Sequence, residues 1–95
     1  MEITFDFGKA LELLNDGNNV ARIGWNRKET YGKNMFLFLV PSSISKVTCA
    51  PLLGIYPKGT EINHQSHIDI KTDDGCVVPW VAPHSDLLAK DWIEV

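Results

Sequence analysis

His64, His67 and Asp69 form a His-x-x-His-x-Asp group, and imidazole with carboxylate is a legitimate ligand set for zinc or iron. In an extended segment positions 67 and 69 share a face while 64 falls opposite or in a loop, so the three converge only if the chain bends. The plainer reading is a polar strand entrance with exposed histidines. Between the two lies a His67 or Asp69 that hydrogen-bonds a ligand. Asp73 and Asp74 are adjacent acids, but Thr72-Asp73-Asp74-Gly75 reads as a turn, where carboxylates ordinarily hold local backbone rather than act as a hydrolytic pair. Cys49 and Cys76 are expected as free thiols in the cytoplasm, with packing as their role, since a catalytic thiol needs a lowered pKa and a positioned base. No Gly-x-Gly-x-x-Gly, Gly-x-x-x-x-Gly-Lys-Ser/Thr, Gly-x-Ser-x-Gly or Cys-x-x-Cys occurs in the chain, so the common catalytic and phosphate-cradling signatures are missing.

The aromatic residues are placed more unusually. Trp25 follows Gly24 at one expected strand end, Trp80 follows Pro79 at another, and Phe36 and Phe38 alternate on a strand between them. Flat rings at strand ends suit base stacking, worth about 1–3 kcal/mol per base, and an indole N–H can meet a ribose or phosphate oxygen. The competing role for each ring is packing in a core, and Trp92, inside the terminal strand pattern, is assigned to the core outright.

These residues must be positioned by few elements. Phe7, Ala10, Leu11 and Leu14 fall on one face of a 3.6-residue period and predict a helix, with Asp6 as N-cap and Gly17 as its stop. Val20 to Trp25 suits a strand with Ala21, Ile23 and Trp25 to one side. Residues 26–34 read as a polar loop, and Met35 to Val40, ended by Pro41, as a central strand. Between Pro41 and Ser66 only Ile44 to Val47 suits a strand. His67–Lys71 and Cys76–Trp80 flank the turn as a β-hairpin, with Pro79 placing the returning strand at an edge. Ser85 is expected to cap a short helix through Ala89, before a last strand Trp92 to Val95. The sum is an α+β fold: an N-terminal helix packed on a mostly antiparallel sheet of four or five strands, plus one short C-terminal helical turn.

Ninety-five residues, 44% of them hydrophobic, are enough for one domain over 1–95. Nine Lys and Arg against 12 Asp and Glu leave a net charge of −3, which disfavours DNA or RNA polymers as partners. No apolar run approaches the roughly 18–20 residues of a membrane span, and the acidic N-terminus is unlike a secretory signal, so a cytoplasmic location is expected. A chain this short buries a modest share of its surface, so self-association is expected as well.

Phe-Gly-Lys-Ala-Leu-Glu-Leu-Leu (7–14), Val-Ala-Arg-Ile-Gly-Trp-Asn (20–26), Met-Phe-Leu-Phe-Leu-Val-Pro (35–41) and Pro-Leu-Leu-Gly-Ile-Tyr-Pro (51–57) follow one another in the chain. His-Ile-Asp-Ile-Lys-Thr (67–72), Val-Pro-Trp (78–80) and Asp-Leu-Leu-Ala-Lys-Asp-Trp (86–92) come after them. In this order they resemble the Thoeris anti-defense 2 family of small phage and prophage proteins, over nearly the whole chain. The 26–34 loop is longer than the family's usual short turn.

The resemblance implies a cytoplasmic homotetramer, in the bacterial host cell, that captures cyclic ADP-ribose isomers made by TIR-domain proteins. It would not cleave them, would need no cofactor or metal, and would thereby keep the Thoeris effector inactive. Some members also hold cyclic oligonucleotide signals at a second site. In this chain it implies Trp25 stacked on adenine, Met35 and Phe36 lining the pocket, Asn26 and Asp69 reading ribose hydroxyls, and Trp80 closing a wall. Arg22 or Lys33 would supply donors to the pyrophosphate. An enzyme using His64, His67 and Asp69 on such nucleotides, and a protein-interaction module without a small ligand, are the alternatives.

Overall fold

The computed structural model describes residues 3–26 and 35–95. Helix α1, Phe7–Asn15, begins at Asp6, whose carboxylate accepts from the Lys9 N–H at 3.0 Å. It closes at Gly17, which takes the left-handed φ of +90°. Ala10 and Leu14 are fully buried on its inner face, with Phe7 and Leu13 packed beside them, while Leu11 is largely exposed. The buried stripe therefore leans toward Leu13, two positions on from the expected Leu11.

Seven strands follow: β1 Val20–Arg22, β2 Phe36–Val40, β3 Ser43–Lys46, β4 Glu61–His64, β5 His67–Lys71, β6 Val77–Pro79 and β7 Trp92–Glu94. Five of them form one sheet in the order β6-β5-β2-β1-β7, every pairing antiparallel, with β2 central and β6 at an edge. Helix α1 packs on β7, β2 and β1, giving the expected α+β arrangement. A short helix α2, His84–Leu87, precedes β7.

Three local expectations are corrected. The first strand stops at Arg22, and Ile23–Asn26 form a 3-10 turn. Its partner β7 begins only at Trp92, opposite Arg22, and Gly24 does not favour a strand. Helix α2 starts one residue before Ser85, with Pro83 as its N-cap and no side-chain cap, since Pro83 has the extended φ and ψ that a cap needs. A strand the sequence did not suggest, β4, pairs with β3 in a separate two-stranded sheet. Pro57 and Gly59 just before β4, and a single apolar residue, Ile62, within it, hide its short alternation.

That second sheet is an arm. Val47 is its one buried side chain among the described residues, its backbone N–H donating to the Thr60 carbonyl and its carbonyl accepting from the Gly59 N–H, while Ile44, Leu53, Ile55 and Tyr56 are exposed. The chain measures 54 × 28 × 22 Å with a radius of gyration of 16.7 Å, against roughly 12 Å for a compact chain of this length.

The core lies between α1 and one face of the large sheet: Ala10, Leu14, Val20, Leu37 and Trp92, each fully buried. Among the described residues, no helix is long and apolar enough to cross a membrane.

Candidate functional site

The two faces of the large sheet differ in chemistry. In an antiparallel pair, directly opposite residues point to the same face. Val20 opposite Leu37, Leu37 opposite Ile70 and Leu39 opposite Ile68 belong to the helix-covered face. Phe36 opposite Lys71, Phe38 opposite Asp69 and Val40 opposite His67 belong to the other, where β6 adds Val77 beside Lys71 and Pro79 beside Asp69. Helix α1 packs on the first face; on the second, Ala21, opposite Ile93, is fully buried and Phe36, Phe38, Asp69 and Lys71 are half-buried.

A groove of about 490 Å³ is lined by Gly17, Asn19, Phe36, Phe38, Leu39, Lys71 and Val77, with Phe36, Phe38, Lys71 and Val77 from the second face. Its size falls in the ordinary range for small-molecule sites, about 300–1,000 Å³. Phe36 and Phe38 stand with ring centroids 6.0 Å apart at 54°, and the Lys71 ammonium lies 5.6 Å from the Phe36 centroid. One step along β5, Asp69 is largely buried. Its Oδ1 is inaccessible and accepts no hydrogen bond. His67 Nε2 sits 3.3 Å from that oxygen, close enough for an ion pair once the imidazole is charged. The other ring nitrogen, Nδ1, is 3.2 Å from the Gln65 carbonyl oxygen, to which it can only donate. The neutral imidazole therefore turns a lone pair, not a proton, toward Asp69. A buried carboxylate oxygen without a hydrogen bond is costly.

The rings expected to meet a ligand are divided between the faces. Trp25 and Trp80, both half-buried, lie on the helix side around Trp92, at 5.4 Å and 77° and at 6.2 Å and 87° respectively. Phe7 completes the cluster, 5.2 Å from Trp92 and 5.7 Å from Trp80. Edge-to-face packing of this kind suits the ring quadrupoles. Trp92 is fully buried, as its core assignment requires, and its indole N–H donates to the Asp86 carbonyl at 2.9 Å. Phe36 and Asp69 are on the opposite face, and half-buried Met35 immediately precedes β2. Asn26 ends the 3-10 turn, but its side chain, like Lys33 and the rest of the 27–34 segment, lies outside the described residues.

Arg22 is not available as a phosphate donor. Its Nε and Nη2 donate to the two oxygens of Asp91 at 2.8 and 3.3 Å, and Nη1 donates to Asp86 at 2.9 Å. The bonds from Asp91, then from Asp86, hold the guanidinium proton above its ordinary pKa. Its two-sided clamp is structural, joining β1 to the segment around α2.

The His64–His67–Asp69 group also separates. His64 Nε2 is 2.7 Å from Ser45 Oγ on the arm, away from the His67–Asp69 pair. Among the described residues no three His, Cys, Asp or Glu side chains gather as a metal site. In the β5–β6 turn, Asp74 accepts from the Thr72 hydroxyl and the Cys76 N–H, which lowers its pKa, and a hydrogen bond with Asp74, then its charge, pushes the Cys76 thiol up. The adjacent acids serve the turn, as expected of them.

Two groove residues carry no role in the sequence reading: Asn19, in the turn after α1, and Lys71, within a matched motif. That Asp69 and Lys71 share a face was visible from strand alternation. That this face meets Phe36 and Phe38 depends on the β2–β5 register, which no local pattern encodes.

Two comparisons bear on the arrangement. Residues 5–95 match the profile of the Thoeris anti-defense 2-like domain. The chain is also 41% identical, over 95 residues, to Thoeris anti-defense 2 of Bacillus phage SP01, an alignment covering 97% of this chain and 96% of that protein.

Proposed function

The chain belongs to the Thoeris anti-defense 2-like family, and from that premise we propose that it blocks Thoeris defence by sequestering cyclic ADP-ribose isomers made by TIR-domain proteins, without cleaving them. One observation supports this reading above the others: the Phe36–Phe38 ring pair lining a groove of small-molecule size on the sheet face away from α1. An apolar aromatic floor complements a nucleotide's base.

Capture of a signal demands tight binding. A ligand of roughly three dozen heavy atoms at about −0.3 kcal/mol per atom reaches about −11 kcal/mol, in the nanomolar range. A single copy does not offer all six expected residues to one ligand, because Trp25 and Trp80 lie across the sheet from Phe36 and Asp69. A homotetramer, in which one copy's tryptophans face another copy's second sheet face, resolves that division and also covers the exposed apolar residues of the arm. Its place of action on this reading is the cytoplasm of the infected cell, and cyclic oligonucleotides are candidates for a separate site.

The competing enzyme would use His64 with His67 and Asp69. The engagement of His64 with Ser45 on the arm speaks for capture instead. Incubation with a cyclic ADP-ribose isomer, filtration, and heat-denaturation of the retained protein separates the readings. Intact ligand released from the denatured protein is expected. Degraded ligand would establish the enzyme, and ligand left in the filtrate would leave a protein-interaction module.

A further inference from the structure

Strand β3 has one neighbour in its sheet, β4, and its other edge is open. The ladder decides which backbone groups that edge presents. Val47 N–H donates to the Thr60 carbonyl, so Val47 turns its main chain toward β4, and Ser45 and Ser43, at the same parity, do likewise. Ile44 and Lys46 therefore turn their N–H and C=O outward, on a strand with neither Pro nor bulge to blunt it. The Ile44 side chain is itself 66% exposed. A two-stranded ribbon is marginal by itself, and an open edge carrying an exposed β-branched residue is a template for a further strand.

The other free edges are less suited. On β4 the outward residues are Glu61 and Asn63, a charge and a poor strand former. On β6, Trp80 N–H donates to the Ile68 carbonyl and Thr72 N–H to the Cys76 carbonyl, which turns Val77 and Pro79 outward, and Pro79 has no donor. The outer edge of β7 is bridged at Trp92 by Phe5.

We propose that β3 pairs antiparallel with β3 of a second copy about a two-fold axis at Ile44, joining the two arms into one four-stranded sheet with the β3 strands at its centre. This rests on the self-assembled form of the sequestration reading and names one of its contacts. The axis sets Ile44 against the second copy's Ile44, each N–H donating to the other's carbonyl, and covers both exposed side chains. Charge fixes the register. Centred on Ile44, Lys46 lies about 13 Å along the strands from the second copy's Lys46, beyond the roughly 8 Å Debye length of physiological salt. Centred on Lys46, the two ammonium groups would stand directly opposite, which is destabilising. The contact uses the same patch on both copies and closes on itself, so it gives a pair rather than a fibre, and a tetramer needs a second two-fold contact elsewhere on the chain.

Proline substitution at the two edges of the arm tests it. Ile44→Pro removes an outward N–H and no bond of the arm's own ladder. By sedimentation it is expected to halve the wild-type mass with circular dichroism unchanged, while Asn63→Pro, the same change on β4's free edge, is expected to keep the full mass. Cysteine cross-linking gives a second reading that needs no proline to be tolerated. In a Cys49→Ser, Cys76→Ser background, Ile44→Cys is expected to form an interchain disulfide under mild oxidation, since hydrogen-bonded antiparallel partners have Cα atoms about 5.5 Å apart, within disulfide range. Asn63→Cys is expected to remain reduced. A wild type that sediments as a single chain overturns the proposal, as does a folded Ile44→Pro protein of wild-type mass, or Asn63→Cys cross-linking as completely as Ile44→Cys. Capture of cyclic ADP-ribose by the same wild-type preparation answers the sequestration reading separately.

Discussion

Arg22 Nε donates to Asp91 Oδ1 at 2.8 Å across 69 residues of sequence, and the same guanidinium reaches Asp86 at 2.9 Å. It ties the end of β1 to both α2 and the approach to β7, where Ile23 N–H also bonds the Asp91 carbonyl at 3.0 Å. Asp86 is well shielded, while Asp91 is partly open to solvent, so the clamp is weaker than a buried pair and stronger than a surface one. Arg22→Met is expected to lower stability by about 1–2 kcal/mol, read as a shift in the urea midpoint. Adding Asp91→Asn to that variant is expected to cost less than Asp91→Asn does in the wild type, because its bonds to Arg22 are already gone. Ligand affinity is expected to stay near wild type in both, since the clamp leaves Arg22 no role at the phosphate.

Trp25 presents a sharper alternative, because its edge-to-face contact with Trp92 gives it a packing role alongside the proposed stacking one. Trp25→Ala is expected to reduce cyclic ADP-ribose affinity about ten- to a hundredfold, the range for losing one base–aromatic stack. Trp25→Phe keeps a ring and is expected to recover most of that loss. A Trp25→Ala protein that melts cooperatively and binds like wild type would confine Trp25 to the core cluster.

Parts of this architecture were legible in the residues for physical reasons. Asp6 and Gly17 bound α1 because capping and left-handed turns are local events. Thr72 to Gly75 marked the hairpin for the same reason, and Trp92 read as core from its strand setting. Trp25 was misplaced because parity along an expected strand 20–25 fails once the chain turns at Ile23, a point set by where distant β7 begins. Arg22 looked like an anion donor because its carboxylate partners are 64 and 69 residues away. The groove was unreadable for a related reason: Phe36 meets Lys71 through a register that bridges the whole arm. Local chemistry was visible, and long-range pairing decided which of it became a site.

Asp74 controls the chemistry of the β5–β6 turn. Its carboxylate is held below its ordinary pKa chiefly by the Thr72 hydroxyl, and its hydrogen bond, then its charge, raise the Cys76 thiol. The lowered folded value means the turn's contribution to stability is complete above the ordinary carboxylate pKa and is lost as pH falls through the folded one. For the thiol, a raised pKa means less thiolate at a given pH, hence slow alkylation. In a Cys49→Ser background, Asp74→Asn is expected to speed iodoacetamide labelling of Cys76 several-fold near neutral pH, and to move the midpoint of its pH–rate curve downward. An unchanged midpoint would show that Asp74 does not set the thiol's reactivity.

The arm makes assembly testable apart from ligand chemistry. Ile44 and Ile55 are 66% and 71% exposed on an element that pairs with no strand of the large sheet, so neither supports the fold of a single copy. Such apolar residues are retained at low cost when a second copy covers them. Sedimentation of the wild type is expected to give the mass of four chains. Ile44→Glu with Ile55→Glu is expected to yield a smaller species of unchanged circular dichroism and to lose cyclic ADP-ribose capture along with assembly, because Trp25 and Trp80 of one copy no longer meet Phe36 and Asp69 of another. A smaller species that still captures ligand at wild-type affinity would place the complete site within one chain and remove Trp25 and Trp80 from it.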